Sequence, residues 1–69
     1  MDGLLVEIGA RIRRIRIQKH LTIADVAERA RMSASHLSQI EKGKVNDPRV
    51  DTLYRIAKAL AVPLRSLLG

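Results

Sequence analysis

Apolar residues recur along this chain at the spacing of an α-helix, in short runs that open on a capping residue or close on a breaker. Ile8, Ile12 and Ile15 form one stripe, extended a turn upstream by Leu5, and Arg11, Arg13 and Arg14 fall largely off it. That pattern predicts an amphipathic helix from about Leu4 to Lys19. A second helix opens at Thr22, a good N-cap with Asp25 three residues on as a capping box. It carries Ile23, Val26, Ala27 and Ala30 on one face. A third opens at Ser33, places Leu37 and Ile40 together, and stops before Gly43, a natural residue for the position after a helix. Gly43 to Pro48 reads as a loop. Asp47 and Pro48 suit the N-cap and first position of a fourth helix, which turns Val50, Leu53, Ile56, Ala57 and Leu60 inward. Pro63 ends it and starts a last short turn, Leu64 to Leu68. No run alternates apolar and polar residues with β-branched enrichment, so no strand is expected. The expected fold is all-α: five helices with short connections in one domain, residues 1–69, with a core from about 5 to 68.

Composition narrows the functions open to such a fold. With 69 residues and no Cys, the chain has no disulfide staple and no thiolate for zinc. A domain of this size buries only about 60% of its unfolded surface, so a second subunit would enlarge a thin core. The longest apolar stretch, Ala59 to Leu64, is six residues, against about 18 for a membrane span. Leu4 to Val6 is too short for a signal-peptide core. A cytoplasmic chain with no membrane association is expected. His20 and His36 are the only histidines and have no partner at metal-binding or acid–base spacing. Asp25, Glu28, Asp47 and Asp51 are dispersed, and no glycine-rich phosphate loop is present. Neither an enzyme, nor a metal site, nor a cofactor is expected. Tyr54 is the sole aromatic residue, whereas single-strand binding needs several stacking platforms.

The charge points to an anionic partner. The formal net charge is +6, and nine of the 13 cations are Arg, which suits phosphates. The stretch from Arg11 to His20 holds five cations and no acid. A solvated basic face, or a basic helix lying on a membrane surface, would explain charge alone. The second and third segments add more. They are joined at Ala30-Arg31-Met32-Ser33, which leaves room only for a tight corner, so they read as a helix-turn-helix. Ala27 is small where the helices cross, and Val26, Ala30, Met32, Leu37 and Ile40 fill the angle. The third helix then offers Ala34, Ser35, Ser38 and Gln39 to solvent, a short, polar, uncharged face. Such a face enters a major groove, where Gln binds adenine through two hydrogen bonds.

Nearly the whole chain, Ile8 to Leu68, resembles the lambda-repressor-like helix-turn-helix family, also called Cro/CI or XRE-type. The resemblance is carried by Ile8–Arg16, Leu21-Thr22, Val26–Ala30, Ser33–Gly43 and Thr52–Leu60, in order and without gaps. It implies a five-helix domain that binds double-stranded DNA as a homodimer on an inverted repeat, with the third helix (about 33–42) in the major groove, in a transcriptional regulator of repressor type. It implies base reading by Ala34, Ser35, Ser38 and Gln39. Phosphate or minor-groove contacts would fall to Thr22, Ile23, Ser33, His36, Lys42, Lys44 and Arg49. The family pairs an Arg and a Glu at Arg16 and Glu41. Both adjoin core positions, Ile15 and Ile40, and a partly buried salt bridge that fixes the third helix is expected. Subunit contacts would involve Tyr54, Arg55, Leu64, Leu67 and Leu68, with one of the three leucines packing inward.

The chain also departs from the family pattern. Ile23 stands where many relatives have a DNA-contacting Gln; relatives with an apolar residue there are often attached to a further sensory domain, so the DNA-binding part of a longer regulator is an alternative reading. Arg31 and Ala61 stand where Gly is usual, and Pro63 where Ser caps the last helix. A left-handed Arg31 would store strain of order 1 kcal/mol. Some family members act instead as antitoxins or as docking units for another protein, and these remain alternative readings.

Overall fold

The computed structural model describes residues 2–46 and 48–69, Asp2 through its backbone alone. Five helices follow one another: α1 (Asp2–Gln18), α2 (Ile23–Ala30), α3 (Ala34–Glu41), α4 (Val50–Ala59) and α5 (Arg65–Leu68). Among the described residues there is no strand. No helix is long and apolar enough to cross a membrane.

The helices start where the sequence offers caps. Thr22 Oγ1 accepts from the Asp25 N–H at 3.0 Å, and the Asp25 carboxylate accepts from the Thr22 N–H at 2.9 Å, closing a complete capping box. Ser33 Oγ accepts from the His36 N–H at 2.9 Å. The fourth helix departs from expectation. Its N-cap is Arg49, with no side-chain cap bond, so Pro48 precedes the cap rather than opening the helix. Residue 47, read as the cap, lies outside the described residues. Val50, expected inside, is 70% exposed. As the first residue of α4 it has no preceding turn to carry it over the core.

The first four helices all end in the same way. After α3, the Gly43 N–H donates to Ile40 O and the Lys44 N–H to Gln39 O, with Gly43 at φ 71°. This paired closure is the Schellman motif. It recurs at His20 (φ 57°), Arg31 (φ 59°) and Ala61 (φ 60°), each with the two corresponding backbone bonds. Three of the four left-handed positions therefore carry a side chain. Arg31 and Ala61 adopt the conformation that the family's usual Gly implied.

The core gathers one stripe from each helix: Ile8 and Ile12, Val26, Ala27 and Ala30, Leu37 and Ile40, Leu53, Ile56, Ala57 and Leu60, and Leu67. Helix α2 packs on α3 and α4, α1 on α3, and α5 closes the bottom against α1 and α4. Leu67 is fully buried, so it is the leucine that seals the core, and it leaves the expected set of subunit contacts. A side chain with no exposed surface has nothing to offer a second subunit.

Candidate nucleic-acid interface

Helices α2 and α3 meet at a corner of three residues, Arg31 to Ser33. Its inner residues Leu37 and Ile40 are buried, which fixes which face points outward. Ala34, Ser35 and Gln39 are exposed on that outer face. Ser38 is set back, half-buried at the helix edge. Eight residues make a rod of about 12 Å at 1.5 Å per residue, and a helix's diameter with side chains, about 10–12 Å, matches the roughly 12 Å width of a major groove.

Two restraints hold the far end of α3. One is an ion pair with α1. The Arg16 guanidinium donates from Nε to Glu41 Oε2 at 2.7 Å and from Nη2 to Oε1 at 3.0 Å. It also donates from Nη1 to the Leu21 carbonyl at 3.0 Å, tying in the α1–α2 connection. The two side chains are 12% and 5% exposed. The hydrogen bonds to Glu41 raise the Arg16 pKa further above its already high ordinary value, against the opposing effect of burial. Glu41 sits at the negative end of α3, where a lone carboxylate is disfavoured, and Arg16 reverses that penalty. The other restraint is Gly9. A Cβ there would meet the carbonyl oxygens of Ile40 and Glu41, the latter at 2.6 Å. Only a residue without a side chain lets α1 cross so close to the end of α3. Nothing near Gly9 in the chain signals a partner 31 residues away.

The residues expected to meet phosphates differ in exposure. Thr22, Ser33, His36, Lys42, Lys44 and Arg49 are exposed, and Ile23 is half-buried against the core. The hydroxyl oxygens of Thr22 and Ser33 are occupied as cap acceptors, which leaves the Ser33 hydroxyl proton free to donate outward. Helix geometry leaves the Ile23 and Ala24 N–H groups without partners inside α2. The capping bonds from the Thr22 N–H and hydroxyl hold the Asp25 carboxyl below its ordinary pKa. Among the described residues, no cluster of His, Asp and Glu side chains could hold a metal ion.

A second surface lies on α4 and α5. Tyr54 and Leu68 are about half exposed, at 53% and 48%, and Leu64 is partly buried. Arg55 faces Asp51 at 3.8 Å, a long and solvated pair. Its Nε is buried with no hydrogen-bond partner among the described residues. Tyr54 and Arg55 line a hollow of about 700 Å³ between the end of α2 and α4, with Arg29, Arg31 and Lys58 on its rim.

Five helices in this order, with α2 and α3 as a capped pair, define a helix-turn-helix domain. The sequence agrees: residues 12–67 match the helix-turn-helix family model HTH_3, and the chain belongs to that family, the Cro/CI or XRE type. It is 37% identical over 62 residues to the immunity repressor protein of Bacillus phage phi105, covering 90% of this chain and 42% of that one. The chain thus spans less than half the length of that relative. The crystal structure of the restriction-modification controller protein C.AhdI from Aeromonas hydrophila superposes with a TM-score of 0.87 at 28% identity, covering 91% of this chain and 94% of the other. A structure of SinR, the master regulator for biofilm formation, in complex with DNA superposes at 0.83 with 32% identity, covering 90% and 98%.

Proposed function

We propose that this domain is the DNA-reading unit of a sequence-specific transcriptional regulator of repressor type, acting in the cytoplasm on double-stranded DNA. Helix α3 enters the major groove. Ala34, Ser35 and Gln39 face the base edges, with Ser38 beside them. Thr22, Ile23, Ser33, His36, Lys42, Lys44 and Arg49 meet the phosphates or the minor groove. The observation that carries this reading is the exposed, uncharged outer face of α3, locked in place by Arg16 and Gly9, with Arg13 and Lys42 grouped with Ser38 at its edge. The chemistry is recognition alone, with no role for a cofactor. The relative crystallised with DNA supports the same reading.

The unit acts as a homodimer on an inverted repeat. Tyr54, Arg55, Leu64 and Leu68 form the shared face. A body 29 Å in its longest dimension lets two copies sit about one DNA turn, roughly 34 Å, apart on one side of the duplex. The relatives' greater length favours a module within a longer regulator.

The test is selection from a random duplex pool at about 150 mM salt. An inverted repeat should be enriched, and Gln39→Ala should lose discrimination at one base position per half-site, by about 1–3 kcal/mol. Retention of bulk DNA without an enriched sequence would defeat the reading, as would an unchanged preference in Gln39→Ala.

A further inference from the structure

Between α1, the start of α2 and the end of α3 lies a hollow of about 220 Å³, lined by Arg13, Arg16, Ile23, Ser38, Glu41 and Lys42. Its lining on the α3 side is the helix edge and end, Ser38, Glu41 and Lys42, and it is not an apolar defect. Glu41 spends both carboxylate oxygens on Arg16, so that pair contributes no net charge to the hollow. Arg13 and Lys42 remain. Both are exposed, on separate helices' ends of the hollow, and among the described residues neither forms an ion pair. The local charge is therefore close to +2, with Ser38 also on the wall. Its volume is roughly seven times a water molecule's share of about 30 Å³, ample for one tetrahedral oxyanion. Ile23 forms an apolar wall and offers no side-chain donor. The side chains available to hold an anion here are those of Arg13, Lys42 and Ser38.

We propose that this hollow seats one phosphate of the bound duplex, gripped between Arg13 of α1 and Lys42 at the end of α3. The proposal rests on the DNA reading above and deepens it by adding α1 to the binding surface. Arg13 carries no sequence information. It fixes how far α3 enters the groove, because the phosphate it holds is bridged to the same helix end that Arg16 and Gly9 restrain.

The test compares the wild-type chain with Arg13→Gln and Arg14→Gln on the selected duplex, with affinities measured from about 50 to 200 mM salt. Arg14 is the adjacent exposed cation and lies outside the hollow. Arg13→Gln should flatten the plot of log affinity against log salt by about 0.9 per protomer. It should weaken binding roughly ten- to hundredfold, equally on every duplex. Its melting temperature and preferred sequence should match wild type, and Arg14→Gln should keep the wild-type slope. A wild-type slope in Arg13→Gln overturns the proposal. So does equal flattening in both variants, which would mean a diffuse field, or a lowered melting temperature, which would make Arg13 structural. A wild-type chain that prefers no sequence sinks the DNA reading and this inference with it. A wild-type chain that selects its repeat while Arg13→Gln keeps its slope sinks this inference alone.

Discussion

Replacing Glu41 by Ala tests how α3 is held. The substitution strips the Arg16 guanidinium of two of its three hydrogen bonds, those at 2.7 and 3.0 Å, and leaves only the Leu21 carbonyl. Arg16 is 12% exposed, so the orphaned charge is poorly hydrated. Breaking a buried ion pair by removing one partner costs about 3–5 kcal/mol. Arg16 lines the 220 Å³ hollow, so water can reach part of what Glu41 vacates, and the lower end of that range, about 3 kcal/mol, is expected. A domain of this length holds on the order of 3–10 kcal/mol in total, so the loss is a large share of its stability. At about 4–8 °C per kcal/mol the melting temperature should fall by at least 12 °C or so. The assay is thermal and urea unfolding followed by far-ultraviolet circular dichroism. A double variant, Arg16→Met with Glu41→Leu, should recover most of the loss, since it leaves no charge behind. If Glu41→Ala melts within about 3 °C of wild type, well under 1 kcal/mol, the clasp is not what holds α3.

Three further outcomes follow from the backbone and the caps. Arg31→Gly should raise the melting temperature by roughly 2–8 °C, because relief of a left-handed side chain, about 1–2 kcal/mol, exceeds the added unfolded-state entropy of Gly, about 0.4–1 kcal/mol; a drop would refute the strain argument. Gly9→Ala should destabilise by about 2 kcal/mol, although the same change in an isolated helix stabilises by about 1 kcal/mol; unfolding of the variant that follows the isolated-helix sign would show that α1 and α3 do not approach so closely. The folded-state pKa of Asp25 lies below its unfolded value. Its contribution is therefore fully present above about pH 3.9 and is lost as pH falls through the depressed folded value. Asp25→Asn should show a smaller loss of stability between pH 5 and pH 2 than wild type, and identical acid profiles would remove the capping box from the account.

What could be read from the sequence was what lies within one helical turn of its cause. Thr22 with Asp25, and Ser33, cap their helices through contacts three residues away, and the left-handed Gly43 follows its own helix directly. The Arg16–Glu41 pair spans 25 residues. It was expected because the family places those two types there and because each adjoins a core residue. Gly9 had no such signal. A glycine within a helical stripe looks like a small cost in propensity, and its reason lies in the Ile40 and Glu41 carbonyls that only the folded crossing brings near. His20 was missed for a related reason: a left-handed histidine has no local signature, and the closure at Ile17 and Arg16 imposes it. Leu64, Leu67 and Leu68 are chemically alike in sequence, and only the rotation of α5 selects Leu67 for the core. The start of α4 slipped because Asp-Pro is a strong opening signal, whereas the helix begins later, at Val50.

The backbone contact at Gly9 has a bearing on how such a domain can be controlled. A helix that touches its neighbour through carbonyl oxygens, without an intervening side chain, has no rotamers to rearrange and no gap to slide into. Helix α3 therefore cannot be turned or withdrawn by a small adjustment inside the domain; it moves with α1 or not at all. A signal from elsewhere in a longer protein would have to act on the whole body as a unit. It could change the separation of two such bodies, their relative tilt, or how many are present, and the reading surface itself would stay the same in the active and inactive states.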